Sequence, residues 1–304
     1  MIIHAIIGPT ASGKGQTSAL VAERDGAEIL SLDSMKVYRD MNIGTAKAPA
    51  ERRARVPHHL FDLVSPTEAF STKLWLAQAE PTIADVVARG KKPLFVGGTA
   101  LYLKGLLHGL FEGPEADWEL RTRLKAEAAE IGTEALHARM ATVDPRAAAK
   151  VNPKDLRRIV RALEVFTLTG VPISTLQTQF EAAPDRYGKQ VFGLRRERSD
   201  LDRRINLRVD IMFDAGLVDE VKGLLEKYGK LGRQAGQALG YAEVLAHLRG
   251  EMTEKEARDA VQRHTRRFAR RQLTWFRKMP YIRWIDVSPD CPPEALAERI
   301  RLRP

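Results

Sequence analysis

The sequence has very little cysteine and no long apolar segment. Cys291 is the single cysteine among 304 residues, which excludes an intramolecular disulfide and a zinc site built from cysteines. No apolar run approaches the roughly 18 residues that a membrane-spanning helix needs. The N-terminal segment MIIHAIIGPT lacks the basic and apolar regions of a signal peptide. We therefore expect a cytoplasmic protein that does not enter a membrane.

Acidic residues are also scarcer than basic ones. Lysine and arginine total 49 against 39 for aspartate and glutamate, which gives a net charge of +10. Glycine and proline occur at ordinary frequency and hydrophobic residues make up 44%, so a disordered or fibrous chain is excluded. The excess positive charge predicts either a soluble polyanion or a phosphorylated small molecule as ligand, unless it serves no ligand at all.

Short apolar runs alternate with helical patterns over much of the chain. Strands are predicted at Ile2–Ile7, Ala27–Asp33, Leu94–Val96, Gln190–Leu194 and, at an edge, Tyr281–Val287. Helices are predicted at Gln16–Arg24, at Ala100–His108 and, after the fourth strand, up to about Lys278. Residues 113–186 show helical spacing of Ala, Arg, Glu and Leu without a strand pattern. These patterns predict an α/β fold: a parallel-sheet core of residues 1–112 and 187–304 that binds ligands at the carboxyl ends of its strands, with a helical insertion domain of residues 113–186.

A glycine-rich segment lies between the first predicted strand and the first predicted helix. It fits the GxxxxGK pattern of a P-loop, which is typical of ATP- and other nucleotide-binding proteins, and comprises Gly8, Pro9, Thr10, Ala11, Ser12, Gly13 and Lys14. In such a loop, backbone N–H groups and a helix N-terminus surround phosphate oxygens while the lysine adds charge. The next residue, Gly15, lacks the hydroxyl that usually binds Mg²⁺, although Thr10 or Ser12 could supply one. The motif thus predicts phosphate binding and leaves metal binding open; an ordinary glycine-rich turn is the alternative.

An acid and a threonine follow the next two predicted strands. Asp33 comes directly after the second strand, where a carboxylate could act as a general base or metal ligand, or simply cap a turn. Gly97, Gly98 and Thr99 follow the third strand, where an ATPase usually carries a carboxylate, so ATP hydrolysis is disfavoured. Thr99 could donate a hydrogen bond to a bridging or leaving oxygen, or cap the next helix.

Two segments concentrate positive charge. In the segment 154–164, Arg157 and Arg161 share a helical face and Arg158 lies beside them, although this segment alone favours an ordinary solvated surface. The segment 263–278 contains seven Lys or Arg and no acid, so it holds +7 of the net +10. Its arginines and its aromatic residues favour a nucleic-acid backbone with bases available for stacking. The alternative is a basic helix whose aromatics pack into its own domain.

The motifs together resemble a known family. In their order along the chain and in their residues, they resemble the tRNA dimethylallyltransferases, also called tRNA isopentenylpyrophosphate transferases, over about Ile3 to Asp286. The segments that carry the resemblance are GPTASGK, DSMKVYRDMNIGTAK, PHHLFDLVSP, LFVGGTALYLKGLLHGL, NPKDLRRIVRALEVFTLTG and RRQLTWFRK. Apart from the second, no single segment is decisive, but the ordered combination is specific.

The resemblance implies a reaction. A dimethylallyl group passes from dimethylallyl diphosphate to N6 of the adenine immediately 3′ of the anticodon, position 37, in tRNAs that read codons beginning with U. It implies that the loop from Gly8 to Gly15 holds the diphosphate, that Asp33 is the base, and that Thr99 contacts an oxygen. It also implies Mg²⁺, whose binding near Ser12 and Asp33 is put in question by Gly15.

The resemblance further implies contacts with the tRNA anticodon stem-loop. The implied contact residues are Asp33, Ser34, Met35, Lys36, Thr99, Arg121, Arg157, Arg158, Arg161, Arg267, Arg270 and Arg271. Two positions that usually carry arginine around a glycine-tyrosine pair hold Gln237 and Ala242 here, so some contacts are weaker or relocated. The single cysteine excludes the zinc finger of eukaryotic members, which indicates the bacterial form, and we expect a monomer.

Three alternatives remain at this point. A P-loop kinase of a small metabolite would explain Lys14, but it needs a hydroxyl after the lysine and no strongly basic helix. Prenylation of a free adenine nucleotide would use the same loop and Asp33, and only tRNA dependence separates it from the favoured reaction. A non-catalytic RNA-binding module would leave the loop and Asp33 without purpose.

Overall fold

A six-stranded parallel sheet organises the larger of two units. The computed structural model describes residues 1–111, 113–177 and 186–303. Their contacts define a core unit of Met1–Leu107 with Tyr187–Pro304 and an insertion unit of His108–Arg186. The sequence had placed the first boundary slightly later, between residues 112 and 113.

The strands of the core unit all run in one direction. They are β1 (Ile2–Ile7), β2 (Ala27–Leu32), β3 (His58–His59), β4 (Lys92–Gly97), β5 (Gly188–Arg196) and β6 (Ile282–Val287), in the spatial order β3-β2-β4-β1-β5-β6. Every pairing in this order is parallel. The central strands β1 and β2 are buried along nearly their whole length because helices cover both faces, which explains their continuous apolar sequence. The predicted α/β class is confirmed.

Helices connect the strands of the core unit. They are α1 (Lys14–Asp25), α2 (Ala50–Arg55), α3 (Thr72–Ala88), α4 (Ala100–His108), α10 (Arg198–Asp214), α11 (Leu217–Tyr228), α12 (Arg233–Gly236), α13 (Tyr241–Leu248), α14 (Glu254–Phe276) and α15 (Pro293–Glu298). The longest, α14, begins at a capping box in which Thr253 and Glu256 satisfy each other's backbone N–H groups.

Helices joined by short loops make up the described part of the insertion unit, which contains no strand. Its helices are α5 (Trp118–Ile131), α6 (Thr133–Val143), α7 (Pro145–Ala148), α8 (Leu156–Thr169) and α9 (Ile173–Leu176). Leu124, Met140, Ile159 and Leu163 lie in a separate hydrophobic core of this unit. Across the described residues, no helix combines the length and apolar character needed to cross a membrane.

The strand register places three loops side by side. Ile7 of β1 pairs with Gly97 of β4, and Gly97 also pairs with Leu32 of β2. The residues that follow these strands therefore emerge at one edge of the sheet, which is the carboxyl edge where α/β proteins bind ligands.

Candidate functional site

The segment after β1 forms a loop that leads directly into α1. Gly13 precedes the helix with φ of +98°, a left-handed conformation that glycine adopts without the penalty of a side chain. The Lys14 ammonium group donates a hydrogen bond to the Pro9 carbonyl at 2.9 Å. Thr10 to Gly15 line a cavity, whereas Gly8 and Pro9 are buried at the base of the loop. This arrangement has the geometry of a phosphate-binding loop at a helix N-terminus.

Side chains from distant parts of the core unit hold this loop from outside. Arg196 donates from Nε to the Ser12 carbonyl at 3.0 Å, and Arg204 donates from Nε to the Ala11 carbonyl at 3.1 Å. Gln272 accepts a hydrogen bond from the Thr10 N–H at 2.9 Å. Because these bonds fix the peptide orientations, the loop is organised before any ligand binds.

The ends of β2 and β4 are joined through Thr99. The Thr99 hydroxyl oxygen accepts the Ser34 N–H at 3.1 Å, so its side chain ties the two strand ends together. Asp33 accepts the Met35 N–H at 2.9 Å through Oδ1, so it does cap a turn. It also lines the cavity with Thr99, so the capping role leaves the carboxylate in contact with the ligand space.

The three loops open into one cavity, which we call the cationic cavity. Its volume is about 920 Å³. Seven basic side chains line it: Lys14, Lys36, Lys47, Arg52, Arg204, Arg208 and Arg271. Among the described residues that line it, Asp33 is the one acid. Lys47 has its own partner in Asp62 at 2.5 Å, but the remaining excess of positive charge favours an anionic ligand.

The basic side chains of the cationic cavity destabilise each other's charge. The pKa of Lys14 is lowered to about 7, chiefly by burial and also by the charges of Arg208 and Lys36, whereas Asp33 opposes the shift. Burial also lowers the pKa of Lys36 and that of Arg208. A bound diphosphate would relieve this strain because its oxygens would supply the missing negative charge.

Sequence reasoning missed two residues of this cavity. Arg208 on α10 lies close enough to Lys14 and Asp33 to shift the Lys14 pKa, yet it was not among the predicted site residues. Its spacing from Arg204, one helical turn earlier, was the available signal. Gln272 was also overlooked because it is an uncharged residue within a strongly basic segment.

The predicted tRNA-contacting residues fall into three groups. Asp33, Ser34, Met35, Lys36, Thr99 and Arg271 all line the cationic cavity. Arg267 and Arg270 are exposed on α14, whose Arg271 guanidinium also lies over the Phe268 ring, 5.9 Å from its centroid. In the insertion unit, Arg121 and Arg161 both bind the buried Glu164, Arg158 pairs with Asp155 at 3.4 Å, and Arg157 is exposed.

The donors available to a metal ion are few. The described residues contain no cluster of three or more His, Cys, Asp or Glu that could hold one. Asp33 contributes the single carboxylate, and the Ser12 hydroxyl is buried with no hydrogen-bond partner in the described structure. Such a set fits a Mg²⁺ ion held mainly by phosphate oxygens and water, with one or two protein ligands.

Two family models match the chain. The model described as IPP transferase matches residues 36–279, and the one described as isopentenyl transferase matches residues 1–56. The first match begins at Lys36, the last residue of the DSMK segment, and contains the insertion and α14; the second contains the glycine-rich loop and Asp33.

Similar proteins match over nearly the full length of this chain. A tRNA dimethylallyltransferase of Geobacter sulfurreducens is 49% identical over 92% of this chain and 90% of its own length. One from Anaeromyxobacter dehalogenans is 47% identical with both chains fully covered. Among solved structures, a tRNA isopentenylpyrophosphate transferase from Bacillus halodurans is 40% identical with a TM-score of 0.72, covering 98% of this chain and 93% of its own. A eukaryotic dimethylallyltransferase acting on tRNA is 28% identical with a TM-score of 0.79, covering 94% and 73%.

Proposed function

The chain belongs to the IPP transferase family, and we propose that it transfers a dimethylallyl group from dimethylallyl diphosphate to a tRNA adenine. The acceptor is N6 of adenine 37, immediately 3′ of the anticodon, in tRNAs that read codons beginning with U, and diphosphate is released. The observation that carries this proposal is the cationic cavity, which brings a phosphate-binding loop and the lone carboxylate Asp33 to one space.

The diphosphate is bound by the loop and its cationic neighbours. As the bond between the allylic carbon and oxygen breaks, the electron pair leaves with the diphosphate and positive charge develops on the allyl group. Preorganised cations around the departing oxygens stabilise this charge separation. Lys14 and Arg208 are placed to do so, and the bonds from Arg196 and Arg204 keep the loop amides in position.

Asp33 removes the proton from the attacking nitrogen. The N6 lone pair of adenine is delocalised into the ring, so the nitrogen becomes a better nucleophile when a base takes its proton as the nitrogen–carbon bond forms. Asp33 is the one acid among the described residues that line the cavity, and Thr99 beside it contacts an oxygen of the leaving group. The turn that Asp33 caps holds its carboxylate at the strand end.

The anticodon loop is bound by basic side chains around the cavity. Because adenine 37 is stacked in that loop, it must be extruded at a cost of a few kcal/mol before it reaches Asp33. Arg267, Arg270 and Arg271 on α14 bind the tRNA backbone and offset this cost. Arg157 and Arg158 of the insertion unit add further contacts.

We also propose Mg²⁺ as the cofactor, which Asp33 and Ser12 would hold. It would neutralise part of the leaving group's charge; the lining carboxylate and the buried, unpartnered Ser12 hydroxyl support this proposal. Gly15 has room for a side chain, since an added Cβ would meet only an Arg52 nitrogen at 3.8 Å. Gly15→Thr is expected to lower the Mg²⁺ concentration that gives half-maximal diphosphate binding, with Gly15→Ala as the matched control. Equal Mg²⁺ dependence of diphosphate binding in both variants would show that residue 15 does not influence Mg²⁺ binding.

The kinase and free-nucleotide alternatives are less well supported. Relatives 47–49% identical to this chain are named for transfer to tRNA, and no second carboxylate lines the described part of the cavity to serve a kinase. We further propose that the enzyme acts in the cytoplasm as a monomer.

The function is tested with labelled dimethylallyl diphosphate. The protein is incubated with the label and one of three acceptors: a tRNA with adenine 37, the same tRNA with guanine at that position, or AMP. Label in the first tRNA alone supports the proposal. Label in AMP identifies a free-nucleotide prenyltransferase. Label in none of the three acceptors overturns the prenyl-transfer assignment.

A further inference from the structure

The arginine-rich helix α14 carries one buried amide. Gln272 is 7% exposed, although arginines 270 and 271 before it are exposed. Its Oε1 accepts the Thr10 N–H at 2.9 Å, and its Nε2 donates to the Gly98 carbonyl at 3.0 Å. Both ends of the amide are thus satisfied by backbone groups, as a buried polar side chain requires.

The two backbone groups belong to the two loops that form the site. Thr10 lies in the phosphate loop after β1, and Gly98 follows β4, the parallel neighbour of β1. The next residue, Thr99, accepts the Ser34 N–H beside Asp33. Gln272 is therefore hydrogen-bonded to the phosphate loop on one side and, through Gly98 and the adjoining Thr99, linked to Ser34 beside Asp33 on the other.

The close approach of Gln272 requires glycine at position 98. A Cβ added to Gly98 would lie 2.1 Å from the Gln272 Nε2 atom, far inside van der Waals contact. On the same helix, Phe268 and Arg271 line the cationic cavity. The amide thus reaches the strand ends from the helix that we assign to tRNA binding.

We propose that Gln272 is a positioning residue for the diphosphate site, which joins α14 to the phosphate loop and to the end of β4. Although Gln272 lines the cavity, both ends of its amide are engaged by backbone groups, so we assign it to holding the loops rather than to contacting a substrate. By fixing the Thr10 and Gly98 peptides at a set separation, it holds the loop amides and Thr99 in the arrangement that receives the diphosphate. This proposal rests on the proposed function for its biological meaning, but binding of inorganic diphosphate tests it separately.

The first test replaces Gln272 with methionine, which has similar length but forms neither hydrogen bond. Gln272→Met is expected to weaken binding of inorganic diphosphate about tenfold, because the Thr10 and Gly98 peptides lose both bonds that fix them and part of that loss falls on the bound ligand. The affinity for tRNA should stay within about twofold, because the arginines are unchanged. Gln262→Met is the matched control, since Gln262 lies on the same helix and bonds to Asp210 at 3.0 Å, away from the loop.

The second test uses pH to rescue a conservative variant. In Gln272→Glu an ionised carboxylate can still accept the Thr10 N–H, but it repels the Gly98 carbonyl; the protonated acid can accept from one and donate to the other. Diphosphate affinity relative to the unaltered protein should therefore recover as the pH falls towards about 4, where a glutamate of ordinary pKa becomes protonated. Because the comparison is a ratio at each pH, titration of the ligand cancels.

The outcomes are distinct. Weaker diphosphate binding in Gln272→Met with tRNA affinity and melting temperature near those of Gln262→Met, together with recovery of Gln272→Glu at low pH, supports the proposal. Unchanged diphosphate affinity in Gln272→Met overturns it. Equal loss of diphosphate and tRNA binding with a lowered melting temperature, or an affinity ratio for Gln272→Glu that does not change with pH, also overturns it. Failure of the unaltered protein to label tRNA would instead contradict the proposed function.

Discussion

Individual residues give the cationic cavity its chemistry, and Asp33 is the clearest case. It is the one acid among seven basic side chains that line the described cavity, and a neighbouring backbone N–H holds its carboxylate at the strand end. The turn therefore presents the carboxylate to the ligand space among those cations.

Removal of this carboxylate should separate chemistry from binding. We expect Asp33→Ala to bind tRNA with nearly unchanged affinity but to lose transfer rate by about 10²–10⁴-fold, the usual contribution of a general base. Single-turnover measurements with saturating tRNA would show this loss. Asp85→Ala, which removes an exposed acid paired with Arg89 on α3, is the control. Near-normal turnover of Asp33→Ala would exclude Asp33 as the base.

Lys14 gives the diphosphate site a specific pH dependence. Its pKa is lowered to about 7 in the free protein, so above that pH most molecules carry a neutral lysine. Because a bound diphosphate favours the charged form, binding at about pH 8.5 should take up close to one proton, and affinity should fall as the pH rises above about 7. Below about pH 6 the lysine is already charged and this uptake should disappear.

Calorimetry in buffers of different ionisation enthalpy measures this uptake. Lys14→Arg is the matched control, because arginine stays charged throughout and the protons exchanged by the ligand itself are common to both proteins. Equal proton uptake by the two proteins at about pH 8.5 would show that Lys14 does not titrate on binding.

Lys14, Asp33 and Thr99 could be recognised from the sequence because each follows an apolar strand at a fixed place in a known loop pattern. Gln272 gave no such signal and Arg208 gave only its spacing from Arg204, since both come from helices far along the chain and reach the site through tertiary packing. Their roles depend on distances, such as the 2.9 Å between Gln272 and Thr10, that no local pattern contains.

At the scale of elements, α14 combines two surfaces. Ala257, Val261, Ala269 and Phe276 are buried along one side, while most arginines of its second half face outward. The helix is therefore compatible with both interpretations of its sequence. Its apolar side packs into the core unit, as a structural helix would, and its outward arginines remain exposed to a nucleic-acid ligand. Of its aromatic residues, Phe276 is buried whereas Trp275 is 40% exposed.

The outward arginines should govern the salt dependence of tRNA binding. Arg267→Ala and Arg271→Ala are each expected to weaken binding and to reduce the slope of log affinity against log salt by about one per lost phosphate contact. Arg258→Ala on the same helix is the control, because Arg258 is engaged by Asp210 and Asp214. Identical slopes in the unaltered protein and the three variants would show that Arg267 and Arg271 make no phosphate contacts with tRNA.

Short elements limited what could be predicted about the fold. β3 has two residues and α15 has six, which is too few for a hydrophobic period to emerge. The segment around residues 42–44 shows a further limit: three consecutive N–H groups bind the Glu220 carboxylate, and the Tyr241 hydroxyl donates to it at 2.6 Å. Nothing local to either partner indicates this long-range contact.

At the scale of the whole molecule, each of the two units has its own core. The insertion unit is centred on Glu164, which is fully buried and receives hydrogen bonds from Arg121 and Arg161. Burial alone would raise the pKa of Glu164, but these bonds outweigh it and hold the pKa below its ordinary value.

Neutralising this carboxylate should destabilise the insertion unit selectively. Glu164→Gln leaves two arginines without their buried partner, so we expect a loss of about 3–5 kcal/mol in the free energy of unfolding of that unit. Hydrogen exchange should show reduced protection of α8, while affinity for inorganic diphosphate, which binds the core unit, stays unchanged. Glu127→Gln is the control: it breaks a partly exposed pair with Arg139 and should cost no more than about 1 kcal/mol. Equal effects of the two substitutions would contradict a special role for Glu164.

The cationic cavity also bears on how the catalytic cycle ends. Side chains that stabilise diphosphate as it departs continue to attract it after the bond has broken, and they remain destabilised by one another until an anion is present. Release of the product is therefore expected to be slow, and free diphosphate should inhibit by competing with the next prenyl donor. Removal of free diphosphate by the cell would then relieve this inhibition, while release from the cavity would still limit each turnover.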